Sequence, residues 1–223
     1  MRRRSFLAAG AASLALPAIS RAQGKRLLKF IPQSDLAVLD PIWTTAYVTR
    51  NHGFMVFDTL YGQAGKKFGF KATPQMVAGH ATEDGGKTWK LTLRDGLTFH
   101  DGSKVLARDC VASIKRWAAR DAFGQALMQR TDEVAAPDDK TILFRLKQPF
   151  SLLPDALGHA ASNMCAIMPE RLANTDPFKQ VSEVIGSGPY RFNAKERVSG
   201  SLYVYERFEN YKPLASGEAS FTA

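Results

Sequence analysis

Residues 89–94 read WKLTLR, so Trp89, Leu91 and Leu93 alternate with Lys90, Thr92 and Arg94. Successive side chains on a strand point to opposite faces, so this pattern fits a strand with one buried and one wet face. Asp84-Gly85-Gly86 precedes the run and Asp95-Gly96 follows it. Both are turn sequences suited to tight hairpins. A second alternating run, Ile142, Phe144 and Leu146 against Leu143 and Arg145, follows the turn Pro137-Asp138-Asp139-Lys140. Between the two runs, residues 106–119 fit an amphipathic helix. Val111, Ile114 and Trp117 with Ala118 share its apolar face, and Lys115 and Arg116 lie off it. Asp109 falls in the first turn, where a carboxylate favours the helix dipole.

The remaining chain divides into short elements. Lys25–Ile31 (KRLLKFI) reads as a strand ended by Pro32, and 44–60 as a helix weakened in its middle by Gly53. A short helix is expected over 151–157, a strand over 163–168 and a helical turn from Pro169 to Leu172. Strands Tyr190–Ala194 and Leu202–Arg207 should pair about Ser199-Gly200. Strands outnumber helices and mix with them irregularly, so the chain is not an ordered βαβ array. Trp89 and Trp117 are expected in the core, and Tyr203 and Tyr205 pack on one face of the last hairpin. From Pro213 to Ala223 no terminating element is visible, and the chain is expected to stop mid-fold.

Arg2-Arg3-Arg4 followed by 14 uncharged residues, Phe6 to Ile19, has the form of a signal peptide and is too short to span a bilayer. Ser20-Arg21-Ala22 places small residues for cleavage after Ala22. Arg3-Arg4-Ser5-Phe6-Leu7 fits the twin-arginine pattern, the alternative being an Arg-rich general secretory signal. No cysteine follows the cleavage point, so no lipid anchor is expected. The formal charge of +9 owes four arginines to the first 22 residues, which hold no acid; without them it is +5, spread without a basic block. Nucleic acid is therefore not an expected partner. Cys110 and Cys165 are too few for a disulfide framework, and their spacing leaves open whether they pair.

Chemistry-bearing patterns are sparse. His52, His80, His100 and His159 are isolated, and no metal-ligand spacing or cofactor motif occurs. His100-Asp101 is a contiguous pair within FHDG, a place where Asp commonly caps the turn backbone. Gly186-Ser187-Gly188-Pro189 matches neither GxGxxG nor a P-loop and reads as a tight backbone crossing. Trp43 and Tyr47, at a loop–helix junction, could line a ligand cleft or cover the end of the core.

Taken in order, Leu39-Asp40-Pro41, the run Trp89–Gly102 (WKLTLRDGLTFHDG), Ala107-Arg108-Asp109, Pro137–Thr141 and Gly186–Phe192 (GSGPYRF) resemble the family 5 extracellular solute-binding proteins of ABC importers, the dipeptide/oligopeptide group. The resemblance extends over 26–212. Lys104 and Leu106 stand where the family has Pro and a Thr or Ser cap, and that lost cap costs ~1 kcal/mol. What the resemblance implies is an α/β fold, the N-terminal lobe portion of a two-lobed periplasmic binding protein (type II, peptide-binding cluster), as an incomplete chain. It would comprise a signal peptide (1–22), a first-lobe segment (23–57), an inserted subdomain (58–185) and a return into the first lobe (186–223). The expected function is binding a peptide or related small solute between lobes that close like a hinge, as a monomer, and delivering it to the membrane permease. No cofactor, metal or catalysis is implied. Trp43, Tyr47, Gly186, Ser187, Gly188 and Tyr190 are the candidate ligand-binding residues. Two alternatives are an exported hydrolase using His100 and Asp101, and a truncated product without function.

Overall fold

The computed structural model describes residues 27–63, 65–66, 69–161 and 163–214. The signal peptide, its cleavage after Ala22, the start of the expected first strand and residues 215–223 lie outside them. The chain divides into two units, Met1–Ile31 and Pro32–Ala223. Of the first unit, Leu27 to Ile31 is described, and the expected strand is absent there. Leu27, Leu28, Phe30 and Ile31 are all exposed. An apolar run becomes a strand only when a neighbour accepts its ladder hydrogen bonds, and none does so here.

The second unit is built on a four-stranded antiparallel sheet. Its strands are β3 (Val77–Glu83), β4 (Thr88–Leu93), β5 (Thr131–Ala135) and β6 (Thr141–Leu146), in the order β3-β4-β6-β5. The Asp84–Lys87 turn joins β3 to β4, with Gly85 and Gly86 at positive φ. Register places Trp89 opposite Phe144 and Leu91 opposite Ile142, so the two alternating runs form one apolar face. Helix α2 (Ala107–Ala118) covers it with Cys110, Ile114 and Trp117, all fully buried. Helix α3 (Ala122–Gln129) follows, its first turn capped by Asp121, which accepts the N–H groups of Phe123 and Gly124. Leu106 supplies no cap to α2. In compensation, Asp109 accepts the Leu106 N–H at 2.8 Å, and its other oxygen accepts the Glu170 N–H.

Helix α1 spans Tyr47–Val56, shorter than the expected 44–60 because Phe57 turns extended. Gly53 is required in it: a Cβ there would lie 2.8 Å from the Pro41 Cβ. Residues 61–63 and 72–74 pair as β1 and β2. Leu153–Gly158 and Glu170–Ala173 form α4 and α5. Between them, 163–168 is buried but is no strand. Its one bridge is Ile167 to Asp58, and Met164 and Met168 are held instead by the Pro41 carbonyl and the Ser113 hydroxyl. The closing hairpin pairs β7 (Tyr190–Val198) with β8 (Leu202–Arg207) and rests on α1 through Phe192 and Tyr205, which flank His52. Among the described residues no helix is long and apolar enough to cross a membrane.

Arg116 departs most from expectation. It leaves the wet face of α2 and is 2% exposed. Nη1 and Nη2 donate to the two oxygens of Asp40 at 3.2 and 2.6 Å, Nε donates to the Thr175 carbonyl, and Nη2 also reaches the Lys179 carbonyl. Asp40 in turn accepts the N–H groups of Ile42 and Val181. A buried charge is tolerated when it is paired and hydrogen-bonded, and here every guanidinium nitrogen and both carboxylate oxygens have a partner.

Candidate functional site

The six candidate residues fall at opposite ends of α1. Trp43 and Tyr47 stand at its N-terminal end, and Gly186 to Tyr190 pass its C-terminal end, about 14 Å away at the helical rise. Trp43 is half-buried and follows the Asp40-Pro41 turn, whose hydrogen bond runs from the Trp43 N–H to the Asp40 carbonyl. Tyr47 is exposed, with the Arg50 guanidinium 4.4 Å from its ring centroid. The first turn of α1 has neither a capping side chain nor an acid.

Gly186 and Gly188 are buried against the end of α1, where the Gly188 N–H donates to the Val56 carbonyl at 2.9 Å. Between them Ser187 is 4% exposed and its hydroxyl has no partner. Tyr190 begins β7 and is exposed. His100 fastens this loop. Its backbone N–H donates to the Gly186 carbonyl, and its Nε2 donates to the Gly188 carbonyl, each at 2.9 Å. A carbonyl can only accept, so Nε2 carries the proton. Asp101 instead caps its own turn, accepting the N–H and hydroxyl of Ser103. The two side chains of the contiguous pair therefore serve separate structural ends.

Sequence reasoning missed Arg120, just beyond α2. It donates from Nη2 to the Trp43 carbonyl at 2.9 Å and lies 4.9 Å from the Phe178 ring centroid and 5.9 Å from that of Trp43. No local pattern marks it, because its partners are 77 and 58 positions away. Two surface depressions, of about 540 and 210 Å³, lie on α2 beside Lys115 and contain none of the six candidates. Cys110 and Cys165 are both buried free thiols, and burial raises both pKa values. Among the described residues no group of three potential metal ligands occurs.

Two buried titratable groups lie in and just beyond α1, His52 within the helix and Asp58 past its end. Burial pushes the Asp58 carboxyl from 3.8 up to about 7, opposed by the Gln75 amide, which donates to Oδ1 at 2.9 Å, and by the charge of Arg94. Burial pushes His52 down to about 4. A raised carboxyl pKa means that the folded state holds the proton more tightly, so Asp58 loses stability as pH rises from about 4 to about 7. His52 acts oppositely, gaining stability as pH rises from about 4 to 6.5. The two slopes oppose each other. Asp58→Asn is therefore expected to flatten the loss above pH 6.5, raise stability at neutral pH and expose the His52 acid limb. Denaturant unfolding from pH 4 to 8 checks this, and an unaltered pH profile refutes it.

The family model for bacterial extracellular solute-binding proteins, family 5 (middle region), matches residues 71–221. This chain belongs to that family. It is 39% identical over 211 residues to a probable peptide ABC transporter periplasmic-binding protein of Sinorhizobium fredii, covering 93% of this chain and 38% of that protein. Its fold matches that of the Brucella suis NikA protein in complex with Fe(III)-EDTA, at TM-score 0.69 and 17% identity over 82% of this chain and 36% of that one. The oligopeptide-binding protein AppA from Bacillus subtilis, in complex with a nonapeptide, gives TM-score 0.65 at 20% identity over 80% and 35%. The chain thus has the α/β fold of part of a solute-binding protein and spans little more than a third of these relatives.

Proposed function

We propose that the chain is the N-terminal part of the periplasmic substrate-binding component of an ABC importer, taking peptides or a related small solute and delivering them to a membrane permease. The observation that carries this reading is the 39% identity to the Sinorhizobium fredii protein, named for peptide transport, along 93% of the chain. Residues 23–57 and 186–223 belong to the first lobe and 58–185 to its inserted subdomain. Residues 1–22 direct export, with cleavage after Ala22 and no lipid anchor. The receptor is a monomer and performs no covalent chemistry; the separate hydrogen-bonding duties of His100 and Asp101 support this over the hydrolase reading.

Trp43, Tyr47 and Tyr190 supply the rings that meet the ligand, and Gly186, Ser187 and Gly188 shape its surroundings through the backbone path that they fix. A ligand binding only the folded form adds about 2.7 kcal/mol of stability at a hundredfold excess over Kd. Thermal unfolding of the periplasmic protein with mixed di- to pentapeptides should show that gain, and Trp43→Ala should reduce it without lowering the ligand-free melting point. Absence of a shift with every peptide length overturns the reading.

A further inference from the structure

Two arginines lie one helical turn apart at the end of α2, and the fold treats them differently. Arg116 is saturated by Asp40 and two carbonyls. Arg120 makes one hydrogen bond, from Nη2 to the Trp43 carbonyl. Its Nε is buried from solvent and has no partner, and none of the ion pairs among the described residues includes it. The acid of the neighbouring loop, Asp176, is engaged by the Phe178 N–H. The group is nonetheless held in place, by the Trp43 carbonyl on one edge and by the Trp43 and Phe178 rings around it, and Phe178 is 66% exposed. A guanidinium is a planar fork that matches a carboxylate in two parallel hydrogen bonds, and aromatic contacts pre-set its orientation.

We propose that Arg120, oriented by Trp43 and Phe178, is a subsite for a carboxylate of the bound solute. This rests on the solute-binding reading above and narrows it to anionic or zwitterionic ligands. A positioned cation that forms no ion pair among the described residues favours that class over neutral solutes, because the ligand then supplies the missing acceptors. A free peptide terminus and an acidic side chain offer the same chemistry, and suitable probes separate them.

The test is isothermal titration of the full periplasmic protein with trialanine, trialanine amide and Ala-Glu-Ala amide. Arg120→Gln should weaken binding of the carboxylate-bearing probe by about 10- to 150-fold, the range for a hydrogen bond to a charged group. Trialanine amide should change less than about twofold, and Arg120→Lys should restore part of the loss. Loss on trialanine assigns the subsite to a peptide terminus; loss on Ala-Glu-Ala amide assigns it to a side chain. Equal loss on all three probes means that Arg120 merely supports Trp43, and no loss means that it takes no part; either overturns the proposal. Failure of all three probes to bind the unaltered protein is a separate result: it removes the peptide reading, and this subsite with it.

Discussion

Replacing Arg116 with alanine is expected to destabilise the chain by about 3–5 kcal/mol, a large share of the total for a domain of this size. The loss is not the worth of the ion pair, since bringing both ions out of water offsets most of their attraction. It comes from what remains behind. Asp40 is 1% exposed and would be left with only the Ile42 and Val181 N–H groups as donors. The carbonyls of Thr175 and Lys179 would lose their donor as well. Asp40→Asn in the same background should therefore recover part of the loss, and the double change should cost clearly less than the two single ones added. Urea unfolding of the three variants measures this. Additive single costs would show that the two groups do not act together.

That pair also shows where reading a sequence stops. The β4 and β6 runs were legible because one face of each is buried, and burial on alternate residues leaves a trace in composition. β3 leaves none: of its seven residues Val77 alone is buried, so VAGHATE carries no alternation. Residues 163–168 mislead for the opposite reason, being buried on every side, where an apolar run cannot distinguish strand from threaded loop. Arg116 looked like a solvated residue because its partner is 76 positions away. Arg120 was invisible likewise: a guanidinium becomes a candidate only when residues 43 and 178 are known to surround it. By contrast, GSGPYRF was readable as a backbone crossing, since two glycines and a proline within four residues restrict what the chain can do there.

The crossing supplies the second large effect, and it comes from a single methyl group. A Cβ on Gly186 would lie 2.1 Å from the Val56 carbonyl oxygen, and one on Gly188 would lie 2.7 Å from the Val56 carbonyl carbon. Both obstructions are backbone, at the residue that ends α1, so no rotamer change relieves them. Gly186→Ala is expected to cost about 3 kcal/mol or more, at or above the upper end for overpacking. Trimming Val56 to alanine should not rescue it, which separates a backbone clash from a crowded side chain. Ser187→Ala, at the residue between, should be neutral or slightly stabilising, because its buried hydroxyl gives up no hydrogen bond. The displaced loop would also pull on His100, whose two bonds to Gly186 and Gly188 tie it to the FHDG turn. Amide exchange should therefore quicken at the His100 and Gly188 N–H groups before it quickens in β4. Exchange rising first in the sheet would mean that the crossing is not what locks the end of α1.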